Sequence, residues 1–142
     1  KIYSDKFGYV GPVPLIFRDT IRNNILYGVD VDIHDDVLID LIDKYNIFDS
    51  FSPGKLDESV STQSLSSGQM QKISIIRAIL RNPDILFLDE ATANLDTKSV
   101  NLVSNEIDKF HGTIVNITHK PEHFRNADKV YVIEEKKLVE IE

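Results

Sequence analysis

Asp89 and Glu90 stand directly behind the apolar run Ile85-Leu86-Phe87-Leu88. Such a run reads as a strand buried on both faces, and open parallel sheets bind ligands beyond the carboxyl ends of their strands. There Asp89 offers a hard oxygen to Mg²⁺, directly or through water, and Glu90 can orient and deprotonate a water. The same pair taken alone is equally a helix cap or a solvated turn. A second cluster, Leu65-Ser66-Ser67-Gly68-Gln69, precedes a long helical segment. Ser66 or Ser67 can cap that helix, Gly68 lets a ligand approach the backbone, and the exposed N–H groups suit a phosphate. On the pentapeptide alone an ordinary serine cap is the plainer reading. A third candidate, His119, leaves the strand Thr113–Ile117 and can reach the same crevice if the two strands are neighbours. His34, His111 and His123 have no such placement.

The elements that must hold these groups follow from periodicity and punctuation. Phe7 to Val10 reads as a strand closed by Gly11-Pro12-Val13-Pro14. Thr20 to Tyr27 predicts a short helix ending at Gly28. Asp32 predicts an N-cap for a helix through Tyr45, with Ile33, Val37, Leu38, Leu41 and Ile42 on its apolar face. The aspartates at 30, 32, 35, 36, 40 and 43 read as a solvated, acid-rich face, with a carboxylate metal site as the lesser alternative. Ser50 to Ser64 reads as loop. Ser66 to Leu80 is strongly helical, with Met70, Ile73, Ile76 and Leu80 recurring, and it stops at Asn82-Pro83. A further helix spans about Thr97 to Phe110, Thr113 to Ile117 reads as a second buried strand, and Lys129–Ile133 with Leu138–Ile141 read as a hairpin. Strands alternating with helices in the second half predict an α/β fold with an open, mostly parallel sheet.

Composition narrows the chemistry. The 142 residues include six glycines, at 8, 11, 28, 54, 68 and 112, and no two are spaced as G-x-x-x-x-G-K-[ST] or G-x-G-x-x-G requires. The chain therefore contains no glycine-rich phosphate loop. It has no cysteine, which excludes disulfides and thiol chemistry. A net charge of −7 argues against a nucleic-acid surface as the main role. No apolar run approaches the ~20 residues of a membrane span, and the first residues do not read as a signal peptide. A soluble, cytoplasmic unit is the expectation.

Taken in order, L-S-S-G-Q, a helix ending at proline, I-L-F-L-D-E-A-T-A-N-L-D and I-T-H resemble the nucleotide-binding domain of ATP-binding cassette (ABC) transporters. Gly8 to Gly28, with Leu15-Ile16-Phe17 and Thr20-Ile21-Arg22-Asn23-Asn24-Ile25, is similar to the exporter branch. The resemblance implies part of a P-loop NTPase (RecA-like) parallel sheet plus the ABC α-helical subdomain. Residues 1–17 would be the Q-loop region of the ATPase core, 18–81 the helical subdomain, and 82–142 the C-terminal part of the core. It implies ATP and Mg²⁺ as cofactors, with Asp89 supporting the metal, Glu90 as general base and His119 as the switch histidine at the γ-phosphate. Leu65, Ser66, Ser67, Gly68 and Gln69 match the signature that closes on ATP held by an opposite subunit. Ala93-Asn94-Leu95-Asp96 match the D-loop that crosses the dimer interface. The implied partners are a second nucleotide-binding domain and a transmembrane domain, at the cytoplasmic face of the membrane; no nucleic acid is expected.

The chain departs from that pattern in places. Pro12 stands where the family has its Q-loop glutamine, and proline has no side-chain amide to contact Mg²⁺ or position water. Val60 and Thr62 replace a glutamate and a glycine, Ser67 replaces a glycine, and Lys136 occupies a hairpin position where glycine is usual. The absent phosphate loop predicts that the chain is the C-terminal part of a longer domain and is inactive alone. Two other readings stay open: a soluble ABC-type ATPase acting on nucleic acid or ribosomes, and a degenerate, non-hydrolysing half-site.

Overall fold

The computed structural model describes residues 6–123 and 126–141. Strand β1 (Phe7–Val10) leads into a short strand β2 (Asp19–Thr20) and the helices α1 (Ile21–Leu26) and α2 (Asp35–Lys44). A 3-10 turn at Pro53–Asp57 and strand β3 (Ser59–Val60) interrupt the expected loop, and helix α3 (Ser67–Leu80) follows. Strand β4 (Ile85–Asp89), helix α4 (Thr97–Ile107), strand β5 (Thr113–Ile117) and the strands β6 (Val130–Glu134) and β7 (Lys137–Ile141) complete the order.

β1, β4 and β5 form a parallel sheet in that order, in which Phe7 pairs with Ile85 and Ile85 with Thr113, and Tyr9 with Phe87 and Phe87 with Val115. Parallel neighbours require crossovers, and α1 to α3 and then α4 supply them. Leu86 and Leu88 point to one face and are buried in a core with Val10, Ile73, Ile76 and Val103. The other face is open. Phe7, Tyr9, Val115 and Ile117 are exposed there, Ile117 to 58%. β4 and β5 are therefore not buried on both faces as their apolar sequences predict. Among the described residues nothing lies over the second face.

α3 is the pillar of the helical layer, packed against α1 on one side and β1 on the other, with Gln71 to Ala78 buried without a break. α1 is capped by the Thr20 hydroxyl, which accepts the Asn23 N–H at 3.0 Å. α2 starts later than the sequence predicts. His34, not Asp32, takes the cap position, without a side-chain bond. Arg22 on α1 pairs with Asp35, the first residue of α2, and, at 2.9 Å, with Asp57, contacts that favour a start at Asp35. Val37 is exposed, while Leu38 and Ile42 carry the buried face. All six aspartates of the acidic run are exposed. Lys44, at the end of α2, reaches Glu106 on α4 at 2.8 Å and ties the helical layer to the sheet side. Burial pushes the neighbouring Tyr45 hydroxyl well above its ordinary value, and the Glu106 carboxylate adds to that.

β6 and β7 pair in register from Val130–Ile141 to Glu134–Lys137, as a hairpin closed by Glu135 and Lys136. Both turn residues are left-handed (φ 48 and 65), the geometry a two-residue turn demands and glycine meets most easily. Among the described residues no helix is long and apolar enough to cross a membrane.

Candidate functional site

The signature segment folds as a helix start. The Ser66 hydroxyl accepts the Gln69 N–H at 3.2 Å, and the Gln69 side chain accepts the Ser66 N–H at 2.8 Å, a reciprocal capping box. Ser66 and Gln69 are thus occupied with each other. The N–H groups of Ser67 and Gly68 have no partner among the described residues, and Ser67 is exposed. Leu65, 7% exposed, anchors the segment in the core. Gly68 packs closely on its neighbour: a Cβ there would lie 3.2 Å from the Asn94 carbonyl, a tight contact that the loop would have to ease by a few tenths of an ångström. The backbone of the 93–96 loop therefore rests against the first turn of α3.

The acidic pair sits at the carboxyl end of β4, beside the end of β5, as the parallel register dictates. Glu90 leaves the sheet with φ 51, a left-handed conformation costly for a side chain of this size, roughly 1–3 kcal/mol. Its N–H bonds to the Ile117 carbonyl at 2.9 Å and its carbonyl accepts the Ala93 N–H at 3.0 Å, which hold the turn in place. Glu90 Oε1 accepts the His119 backbone N–H at 2.9 Å, and the His119 Nε2 lies 3.7 Å from the same oxygen. The imidazole itself is 95% exposed. Asp89, Glu90 and His119 are thus gathered at the carboxyl end of the sheet, with the histidine ring exposed to solvent.

Asp96 is engaged otherwise. It caps α4, accepting the Ser99 N–H at 2.9 Å and the Ser99 hydroxyl at 3.0 Å. The Ser99 N–H, and then its hydroxyl, hold the Asp96 carboxyl below its ordinary range. Thr92, buried within the same loop, lies 3.3 Å from the His123 Nδ1.

Several polar groups around the site are not evident from sequence. Tyr9 donates its hydroxyl to Asp89 Oδ2 at 3.2 Å. Gln71, fully buried, donates to the Gly11 carbonyl at 3.1 Å. Arg77 donates to the carbonyls of Asn24 (2.8 Å) and Leu15 (2.9 Å). The available signal was the presence of polar residues among the apolar repeats of α3, but their partners depend on the tertiary fold.

The donors fit Mg²⁺ in a specific way. Asp89 has one oxygen engaged by Tyr9 and the other without a hydrogen bond among the described residues. No group of three or more His, Cys, Asp or Glu among those residues is placed to hold a metal ion. Mg²⁺ commonly takes one or two carboxylates together with substrate phosphates and water, and Asp89 suits that role, not an all-protein cage. The unpaired N–H groups at the start of α3 suit a phosphate. Two surface hollows, of about 460 Å³ beside Lys129 and Glu140 and about 600 Å³ beside Phe17 and Tyr27, are lined by none of these residues.

Comparison with known proteins bears on the class. Residues 1–93 match the sequence model of the family described as ABC transporter. The chain belongs to that family. An ABC multidrug transporter, mdr1, of Aspergillus fumigatus is 36% identical over 97% of this chain and 11% of its own length. A multidrug resistance ABC transporter ATP-binding and permease protein of Lactococcus lactis subsp. lactis is 37% identical over 93% of the chain and 23% of its own length. The structure of a bacterial Atm1-family ABC exporter with ATP bound superposes with a TM-score of 0.80 at 29% identity, covering 94% of this chain and 24% of that one. The chain thus spans about a tenth to a quarter of these relatives, and its fold is that of an exporter-type nucleotide-binding domain.

Proposed function

We propose that these residues form the C-terminal part of the ATP-binding and ATP-hydrolysing domain of an ABC exporter, covering the Q-loop region (1–17), the helical subdomain (18–81) and the end of the ATPase core (82–142). The observation that carries this reading is the junction at the carboxyl ends of β4 and β5, where Glu90 accepts the His119 N–H beside Asp89. Asp89 would hold Mg²⁺, whose charge offsets that of the phosphates. Glu90 would accept a proton from the attacking water, and His119 would hydrogen-bond the terminal phosphate. Leu65 to Gln69 would present the two unpaired N–H groups of α3 to ATP held by a second nucleotide-binding domain, with Asp96 fixing the loop that crosses between them. The transmembrane domain of the same transporter, at the cytoplasmic face of the membrane, would be the other partner.

The chain carries no phosphate loop, so that cradle would come from polypeptide outside these residues. Titration calorimetry tests this directly. The 142-residue chain should take up no Mg-ATP at micromolar concentrations, whereas the full-length protein should bind it and lose turnover on Glu90→Gln. Micromolar binding by the chain alone, or full turnover by the Gln variant, would overturn the assignment. A non-hydrolysing half-site is the second reading, favoured by Pro12, which is exposed and has no amide to offer. Bound ATP with no turnover in the unaltered full-length protein selects it.

A further inference from the structure

The residue at position 12 is a proline, yet the carboxylate read as metal-supporting has a partner from the strand just before it. Tyr9 stands on the open face of the sheet, in register with Phe87 and one pleat before Asp89 on that face. Its hydroxyl donates to Asp89 Oδ2 at 3.2 Å. The ring reaches that position by lying back over Gly11, where an added Cβ would meet the Tyr9 hydroxyl at 2.7 Å and the ring at 2.8 Å. The glycine and the tyrosine are thus fitted to each other, and Gly11 is itself held by Gln71, which donates to its carbonyl from α3. A buried side chain fixes the loop, the loop leaves room for the ring, and the ring sets one oxygen of Asp89.

We propose that Tyr9 is a positioning residue for Asp89: its hydroxyl holds Oδ2 so that Oδ1 is the oxygen presented to Mg²⁺, a polar function that Pro12 cannot supply. The proposal rests on the reading of Asp89 as the metal-supporting carboxylate. Hydrogen bonds of this kind orient metal ligands, and their loss costs on the order of tenfold or more in metal affinity. Tyr9→Phe removes the hydroxyl and keeps the ring. Gly11→Ala leaves the hydroxyl intact and displaces the ring.

The experiment uses the full-length protein with a non-hydrolysable ATP analogue and Mn²⁺, whose binding is read by electron paramagnetic resonance. Tyr9→Phe and Gly11→Ala should each weaken Mn²⁺ by on the order of tenfold, leave binding of the metal-free analogue unchanged, and show no further loss in combination. In turnover assays the Tyr9→Phe protein should need more Mg²⁺ and recover kcat when Mg²⁺ saturates, a split that general destabilisation would not produce. Asp89→Asn separates the two readings. If Asp89→Asn weakens Mn²⁺ and Tyr9→Phe does not, the positioning role is overturned while the metal assignment stands. If Asp89→Asn also leaves Mn²⁺ unchanged, the metal assignment fails, and the role of Tyr9 with it.

Discussion

Both carboxylate oxygens of Asp96 are committed to Ser99, and the consequence can be measured. A carboxyl held below its ordinary range favours the folded state above that range and loses its contribution as the pH falls through the lowered value. Asp96→Ala should therefore cost about 1 kcal/mol at neutral pH. It should cost progressively less once the pH drops below the ordinary carboxylate value of about 3.9. Urea midpoints at a series of pH values check this, and an unchanged midpoint at neutrality would remove the cap from the account. Sequence made the chemistry-bearing residues visible one at a time: the acids behind an apolar run, the serine before a helix and the histidine after a strand. It could not show that Tyr9 meets Asp89. That contact needs the β1–β4 register, and strands so distant in the chain leave no local mark of how they pair.

The helices α3 and α4 and the strands β4 and β5 were legible from apolar spacing and from the Asn82-Pro83 stop, because their own residues decide them. The start of α2 was not: Asp32 offers a local cap, while the helix begins at Asp35, which pairs with Arg22 on another helix. Nor was the cross-linking of α1 to α3. Arg77, 8% exposed, bonds the carbonyls of Asn24 and Leu15 and lies 5.8 Å and 5.7 Å from the ring centres of Phe17 and Tyr27. A single guanidinium thus joins the pillar helix to the segment that follows β1. Replacing Arg77 with Met strands two carbonyls and removes two ring contacts, a loss of roughly 2–4 kcal/mol. Arg77→Lys should rescue little, because one ammonium lacks the planar fork that serves two acceptors together. Hydrogen exchange should locate the damage, with α1 losing protection ahead of α3; equal loss in both would mean that the link between them is not specific.

For the whole molecule, the dominant fact is the uncovered sheet face. Parallel sheets are almost always covered on both sides, and here Phe7, Tyr9, Val115 and Ile117 meet solvent. The apolar run Ile85–Leu88 and the segment Thr113–Ile117 were both read as strands, as they are, while their burial depends on what lies opposite. The isolated chain should self-associate with rising concentration in sedimentation velocity. Val115→Lys with Ile117→Lys should return it toward a monomer; a chain already monomeric throughout the range would show the face to be inert. The pairing of Phe7 with Ile85 also sets an order of events in time. β1 is made before β4, its pairing partner among the described residues, and the helical layer between them rests largely on nearer contacts. Contacts nearer in sequence favour the helices gathering before the sheet closes. Throughout that interval, Phe7 and Tyr9 ride on a strand that β4 has not yet paired.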